Sequence, residues 1–244
     1  MKAVSLLFFL SIAAGNAYAQ DHASHWSYKE VKEWGACSPA HAECRLGKKQ
    51  SPVDIRTKDV QLANLSPIDI AYQATPAEVI NNGHTIQVGL KDGGFATFPS
   101  GQYKLLQVHF HNPSEEKING KNFPLVAHLV HQNTEGKLAV LAVLFKEGKT
   151  NKSLQPIFSV MPSQEGRVML ANSFDAASLL PSSLSYYAFT GSLTTPPCSE
   201  DVAWHVLMNP VDISKAQLAS FVKLYSMNAR PVQPLNGRVI QRSN

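Results

Sequence analysis

The chain has 244 residues, with 22 lysines and arginines against 18 aspartates and glutamates and a net charge of +4 at pH 7. That small excess comes without a basic block or any interleaving of basic with aromatic residues, which argues against a nucleic-acid partner. No internal repeat, low-complexity tract or long linker interrupts the sequence, so one domain with a substantial core is expected.

The first nineteen residues read as a cleaved secretory leader. Lys2 gives a positive start, residues 4–14 are largely apolar, and Ala17-Tyr18-Ala19 is a small-x-small cleavage site before Gln20. The apolar stretch is too short to span a bilayer, and no later run approaches that length. A soluble periplasmic or secreted protein with no membrane anchor is expected, its domain being residues 20–244 with a net charge of +3 once Lys2 is gone. Export brings Cys37, Cys44 and Cys198 into an oxidising compartment, where one disulfide and one leftover thiol is the simplest count. Sequence leaves the pairing open. A bridge from Cys44 to Cys198 would close a loop of about 155 residues and contribute roughly 5 kcal/mol at most.

Five short apolar segments follow as predicted strands: 85–90, 103–111, 126–131, 138–145 and 202–207. Turn signals at Asn82-Gly83, Asp92-Gly93-Gly94 and Asn119-Gly120 bound several of them. Segment 138–145 is apolar on both faces, as a central strand should be. Within 103–111 stands Gln107-Val108-His109-Phe110-His111, and about twenty residues on comes Ala127-His128-Leu129-Val130-His131. A strand alternates its faces, so His109 and His111 point the same way. Strict alternation puts Gln107, Leu105 and Tyr103 on their face and Leu106, Val108 and Phe110 on a buried apolar one. A lone His-x-His is more often a surface feature than a metal site. A third imidazole from a neighbouring strand, however, would complete three corners of a tetrahedron and leave the fourth open, as in a catalytic zinc site. His128, on the face of Val126 and Val130, and His131, on the face of Ala127 and Leu129, both qualify; periodicity does not choose between them.

One helix is marked near the end. Ser214 and Gln217 form a capping box, and Leu218, Phe221, Val222 and Tyr225 recur at helical spacing. The expected fold is therefore mainly β (α+β): a large, twisted, mostly antiparallel sheet with a few peripheral helices.

The whole pattern resembles the α-class carbonic anhydrases, specifically their exported bacterial branch. The resemblance runs through His25-Trp26-Ser27-Tyr28, Gln50-Ser51-Pro52-Val53-Asp54-Ile55, Asn81-Asn82-Gly83-His84, the two histidine segments, Gly191-Ser192-Leu193-Thr194-Thr195-Pro196-Pro197, Asn228 and Arg230-Pro231-Val232-Gln233-Pro234. It implies zinc held by His109, His111 and His128, with His131 a non-ligand. The implied reaction is reversible hydration of carbon dioxide to bicarbonate and a proton by a zinc-bound hydroxide. It further implies that Thr194 orients the nucleophile through Glu115, and that Val130, Val140, Leu193, Val202, Trp204 and Thr195 line the substrate pocket. His84 matches the proton shuttle, with Tyr28, Asn82 and Gln87 ordering the water chain. Cys44 and Cys198 match a bridged pair, which leaves Cys37 over; the bridge would fasten the loop of Thr194 and Thr195. Sulfonamides and small anions are implied inhibitors, a weak esterase side activity is implied, and a homodimer is common among similar bacterial enzymes.

Metal-bound histidines usually donate their second nitrogen to a fixed acceptor. Gln107 fits that role for His109, and the backbone carbonyl of Asn228 fits it for His111. For His128 the family's usual acceptor is a glutamate two residues earlier, where this chain has Val126. A water or another side chain must stand in, or Val126→Glu should tighten zinc binding. A non-enzymatic relative acting as a lectin, adhesin or scaffold is the competing reading. Such proteins typically lose a zinc histidine, and this chain keeps all three.

Overall fold

The structure, a computed structural model, describes residues 26–244; the expected leader lies outside them. The strands in chain order are β1 (Asp54–Ile55), β2 (Gln61–Leu62), β3 (Asp69–Tyr72), β4 (Ala77–Asn81), β5 (Ile86–Leu90), β6 (Gly94–Phe98), β7 (Gly101–His111) and β8 (Lys117–Ile118). They continue with β9 (Lys121–Asn122), β10 (Leu125–Gln132), β11 (Leu138–Glu147), β12 (Gly166–Met169), β13 (Tyr186–Ser192), β14 (Glu200–Leu207), β15 (Val211–Ile213) and β16 (Gln241–Arg242). One large sheet runs in the order β12-β4-β5-β7-β10-β11-β14-β13-β16-β2, with β6, β3 and β15 attached at its flanks. β1, β8 and β9 form a separate small sheet. Most pairings are antiparallel, but β11 runs parallel to β14 and β15, so the sheet is mixed.

All five predicted strands are present. β11 sits between β10 and β14, and every side chain from Ala139 to Phe145 is buried, which is why that segment is apolar on both faces. Each large aliphatic side chain so buried contributes roughly 1.5–3 kcal/mol. The sheet separates two apolar layers. One gathers Val108, Phe110, Ala127, Leu129, Leu141 and Phe221. The other gathers Val126, Val130, Val140, Val202 and Trp204.

Strict alternation fails in β7. Val130 pairs with Gln107 and His131 with Leu105, so Leu106 is an extra residue opposite a break in register. This β-bulge turns Leu106 outward, 38% exposed, and swings Leu105 and Tyr103 into the core layer of Val108 and Phe110. The expected faces therefore hold from Gln107 to His111 and are reversed before the bulge.

The predicted helix is α-helical over Lys215–Leu224, with Ser214 capping the Gln217 amide and the Gln217 side chain returning to the Ser214 amide. Phe221 is its fully buried residue. Short helical turns at Trp34–Cys37, Pro39–His41 and Glu43–Leu46 were not foreseen. They carry too few residues for a periodic signal and hold Trp34 completely buried. Cys44 and Cys198 are bridged, and Cys37 is free and exposed. No helix among the described residues is long and apolar enough to cross a membrane.

Candidate metal centre

The ladder between β7 and β10 assembles the site. His109 lies directly opposite His128, and His111 opposite Val126. The three rings are neighbours, with centroids 4.9 Å (His109–His111), 5.3 Å (His109–His128) and 4.8 Å (His111–His128) apart. One ring nitrogen from each lies within 4.8 Å of the others. Among the described residues this is the group of histidine, cysteine and acidic side chains close enough to hold a metal ion.

Hydrogen bonds decide which nitrogen each ring offers. Nδ1 of His109 donates to Oε1 of Gln107 (2.9 Å), and Nδ1 of His111 donates to the Asn228 carbonyl (2.7 Å). Both rings therefore present the Nε2 lone pair. Nε2 of His128 faces the Glu116 carboxylate, 3.2 Å from Oε1 and 3.3 Å from Oε2, so this ring presents Nδ1. Of the alternatives left open for the acceptor missing at Val126, another side chain is the one present: Glu116. Nε2 of His111 is buried without a hydrogen bond. A buried, unpaired imidazole lone pair converging with two others is what a soft-to-borderline divalent ion requires, so the residues fit zinc. His131 is excluded, since it lies in the other layer with Nε2 2.6 Å from the Tyr72 hydroxyl and Nδ1 3.3 Å from the Ala139 carbonyl. Register and burial choose between the two candidates that periodicity left open.

Electrostatics follow burial and neighbours. Burial, aided by His128, pushes His109 down to about 3, and burial pushes His111 well below the ordinary histidine range despite its bond to Asn228. Both therefore remain neutral, as ligands must be. Burial is also the largest single influence on His128, yet Glu116 by charge and hydrogen bond, with Glu115, reverses it and raises the pKa. Burial lifts Glu115 to about 7, while the charge of His128 and donation from Thr194 and the Arg230 amide oppose the rise.

Glu115 is fully buried beside the cluster. Its Oε1 accepts the Arg230 amide at 2.7 Å, and its Oε2, without a well-formed hydrogen bond, stands 3.5 Å from His111 Nε2 and 3.8 Å from His128 Nδ1. Arg230, which in the sequence is marked only by the motif it opens, ties the surroundings together. Its guanidinium donates to Oε1 of Gln50 (2.8 Å) and to the carbonyls of Ser51 (2.8 Å) and Cys44 (3.0 Å). Thr194 is buried on the segment after β13, and Thr195 accepts the Cys198 amide at 2.9 Å. The strand leading into that segment carries Gly191, where a Cβ would come within 2.1 Å of the Ser51 hydroxyl oxygen. Glycine is required there because Ser51 and Ser192 exchange hydrogen bonds of 2.9 and 3.1 Å across the same gap.

The expected pocket residues Val130, Val140, Val202 and Trp204 form one apolar cluster, with Leu193 packed on it. Trp204 meets the His128 ring edge-on at 5.0 Å. Tyr28 is 6.4 Å from the His111 ring, and burial, then Glu115, raises its hydroxyl well above the usual tyrosine range. His84 stacks on Trp26 with centroids 3.8 Å apart. Its turn is fixed by the Asn82 side chain, which accepts the amides of His84 (3.0 Å) and Thr85 (2.9 Å). Asn228 joins this turn to the metal centre, since its side chain donates to the His84 carbonyl (3.1 Å) while its own carbonyl holds His111. Gln87 pairs with His109 across the β5–β7 ladder.

A twisted sheet with three convergent imidazoles at its centre defines a candidate metalloenzyme. The profile of eukaryotic-type carbonic anhydrases matches residues 29–244. A carbonic anhydrase of Neisseria gonorrhoeae is 44% identical over 242 residues, covering 97% of this chain and 95% of that one. The α-carbonic anhydrase of Thermovibrio ammonificans, solved with the inhibitor sulfanilamide, superposes with a TM-score of 0.87 at 43% identity over 89% of this chain and 99% of its own. Dioscorin complexed with ascorbate shares the fold at a TM-score of 0.81 and 31% identity, over 87% of this chain and 92% of its own. The chain belongs to the carbonic anhydrase family, in its eukaryotic-type, or α, class.

Proposed function

We propose that the protein catalyses reversible hydration of carbon dioxide to bicarbonate and a proton with zinc held by His109, His111 and His128. The observation that carries this reading is the set of three converging imidazoles, each with its outer nitrogen already engaged. Zinc in such a site lowers the pKa of a coordinated water to about 7 and so supplies a nucleophile at neutral pH, an effect for which carbonic anhydrase is itself the type example.

The chain's residues do the rest. Thr194 has one hydroxyl proton, and donating it to Glu115 leaves only lone pairs facing the site. Thr194 then holds the attacking solvent by accepting from it, which aims the opposite side of its oxygen at carbon. Glu115 must be ionised for this, a state favoured by positive charge held at the histidines. Carbon dioxide is small and apolar, and the layer of Val130, Val140, Leu193, Val202 and Trp204 offers an apolar surface beside His128, with Thr195 completing the pocket in this reading. His84 carries the product proton to bulk solvent along water ordered by Tyr28, Asn82 and Gln87, histidine being the side chain whose ordinary titration range lets it accept and release a proton at neutral pH.

The Cys44–Cys198 disulfide supports a periplasmic or secreted location. Sulfonamides and small anions are proposed inhibitors, in keeping with the sulfanilamide complex of the Thermovibrio relative. A weak activity on activated esters and a homodimer complete the proposal. A stopped-flow pH-indicator assay with dissolved carbon dioxide tests it. Rapid acidification that a sulfonamide abolishes is expected; a rate no faster than buffer with zinc-loaded protein would refute it.

A further inference from the structure

We infer that Glu116 is the positioning residue for His128, so that this chain supplies from the segment before β8 the carboxylate that its family's pattern takes from β10. The inference rests on the proposed zinc centre. Glu116 has no exposed surface, and among the described residues its carboxylate makes hydrogen bonds to His128 alone. A buried carboxylate with a single imidazole for a partner is a liability to the fold. Its position is explained if the ring carries a cation on its other nitrogen.

The backbone around Glu116 is built to hold that carboxylate still. Ser114 donates its amide to the Phe123 carbonyl (2.8 Å) and its hydroxyl to the Glu116 carbonyl (2.7 Å), while accepting the Phe123 amide (2.9 Å). Lys117, next in sequence, donates its amide to the Val53 carbonyl (3.2 Å). Glu115, one residue earlier, is held by the Arg230 amide and reaches to 3.8 Å from the other nitrogen of the same ring. Consecutive carboxylates thus flank both nitrogens of His128. Val126 shares a face with His128, two residues away on β10, and is fully buried in the apolar layer. The pair Glu116 with Val126 is therefore an exchange of place: the acceptor has moved to the loop, and its former position has become hydrocarbon.

The exchange should be reversible. The test measures zinc dissociation constants by chelator competition, and the visible absorption of the cobalt-substituted protein, for wild type, Glu116→Gln, Glu116→Leu and Glu116→Leu with Val126→Glu. Loss of such a partner typically weakens metal binding by about 10–100-fold. Glu116→Leu should show that loss with an altered cobalt spectrum, while the unfolding midpoint of its metal-free form holds or rises. Glu116→Gln, which keeps a neutral acceptor as Gln107 does for His109, should fall between. Restoring a carboxylate at 126 should recover at least tenfold in affinity. Zinc binding by Glu116→Leu within twofold of wild type, or no recovery in the double variant, would overturn the assignment. Failure of wild type itself to take up zinc would bring down the metal centre as well, so the two failures are distinct.

Discussion

Replacing Cys44 and Cys198 by serine removes a cross-link between residues 154 apart in sequence. The bridge joins the short helical turn Glu43–Leu46 to the segment following Thr194 and Thr195. For a loop of that length the chain-entropy model gives about 5 kcal/mol at 25 °C, mostly from restricting the unfolded chain. A domain of this size loses about 2–4 °C of melting temperature per kcal/mol, so the double variant should melt roughly 10–20 °C lower. The local loop keeps other anchors: the Cys198 amide to Thr195 (2.9 Å), Gln50 to the Cys198 carbonyl (3.0 Å) and the Leu193 amide to Ser199 (2.9 Å). Folded variant should therefore retain most of its activity at 25 °C while losing stability. Thermal melts with and without reductant, beside a thiol titration of denatured protein, measure both points. One free thiol before reduction and three after are expected from the three cysteines. Three thiols before reduction, or a melting shift under about 2 °C, would refute the reasoning.

Other outcomes follow from the site. His84→Ala should slow turnover in dilute buffer and be restored by added imidazole; equal rates for the two proteins would remove His84 from proton transfer. Thr194→Val keeps shape but loses the oriented hydroxyl, and should lower kcat/KM by about 10²-fold with little change in zinc content. Away from the metal, burial pushes His131 down to about 3 and His205 to about 4. Between those values and 6.5 the unfolded chain binds protons that the folded chain refuses, so stability present above pH 6.5 is lost as pH falls. The contribution is about 1.4 kcal/mol per pH unit for each histidine. Urea denaturation at pH 7 and pH 5 should show this loss, and a shallower one in His205→Phe, whose ring would replace imidazole in the stack on Phe98; equal slopes would contradict it.

Much of this was legible in the sequence, for identifiable reasons. The 138–145 run, apolar on both faces, reads as a central strand, and the capping box announced the Lys215–Leu224 helix, because both signals are local. The spacing of His109 and His111 carried their common face, but spacing does not separate His128 from His131; the family resemblance does, and the register of β10 on β7 through His109 gives the physical reason. The bulge at Leu106 was invisible because one inserted residue reverses every face before it without changing composition. Glu116 escaped notice because its partner is reached through the fold and not by strand periodicity. The consecutive Glu115 and Glu116 were the available signal, since two carboxylates entering a core together need partners. Arg230 was similarly hidden, its partners Gln50, Ser51 and Cys44 lying some 180 residues earlier.

Anomalous scattering from crystals of the purified protein, recorded on both sides of the zinc absorption edge, is the most direct test of the metal centre. A single peak, bonded to Nε2 of His109, Nε2 of His111 and Nδ1 of His128, is the expected result. Well-ordered histidines with no zinc peak among them, or a peak bound elsewhere, would contradict it.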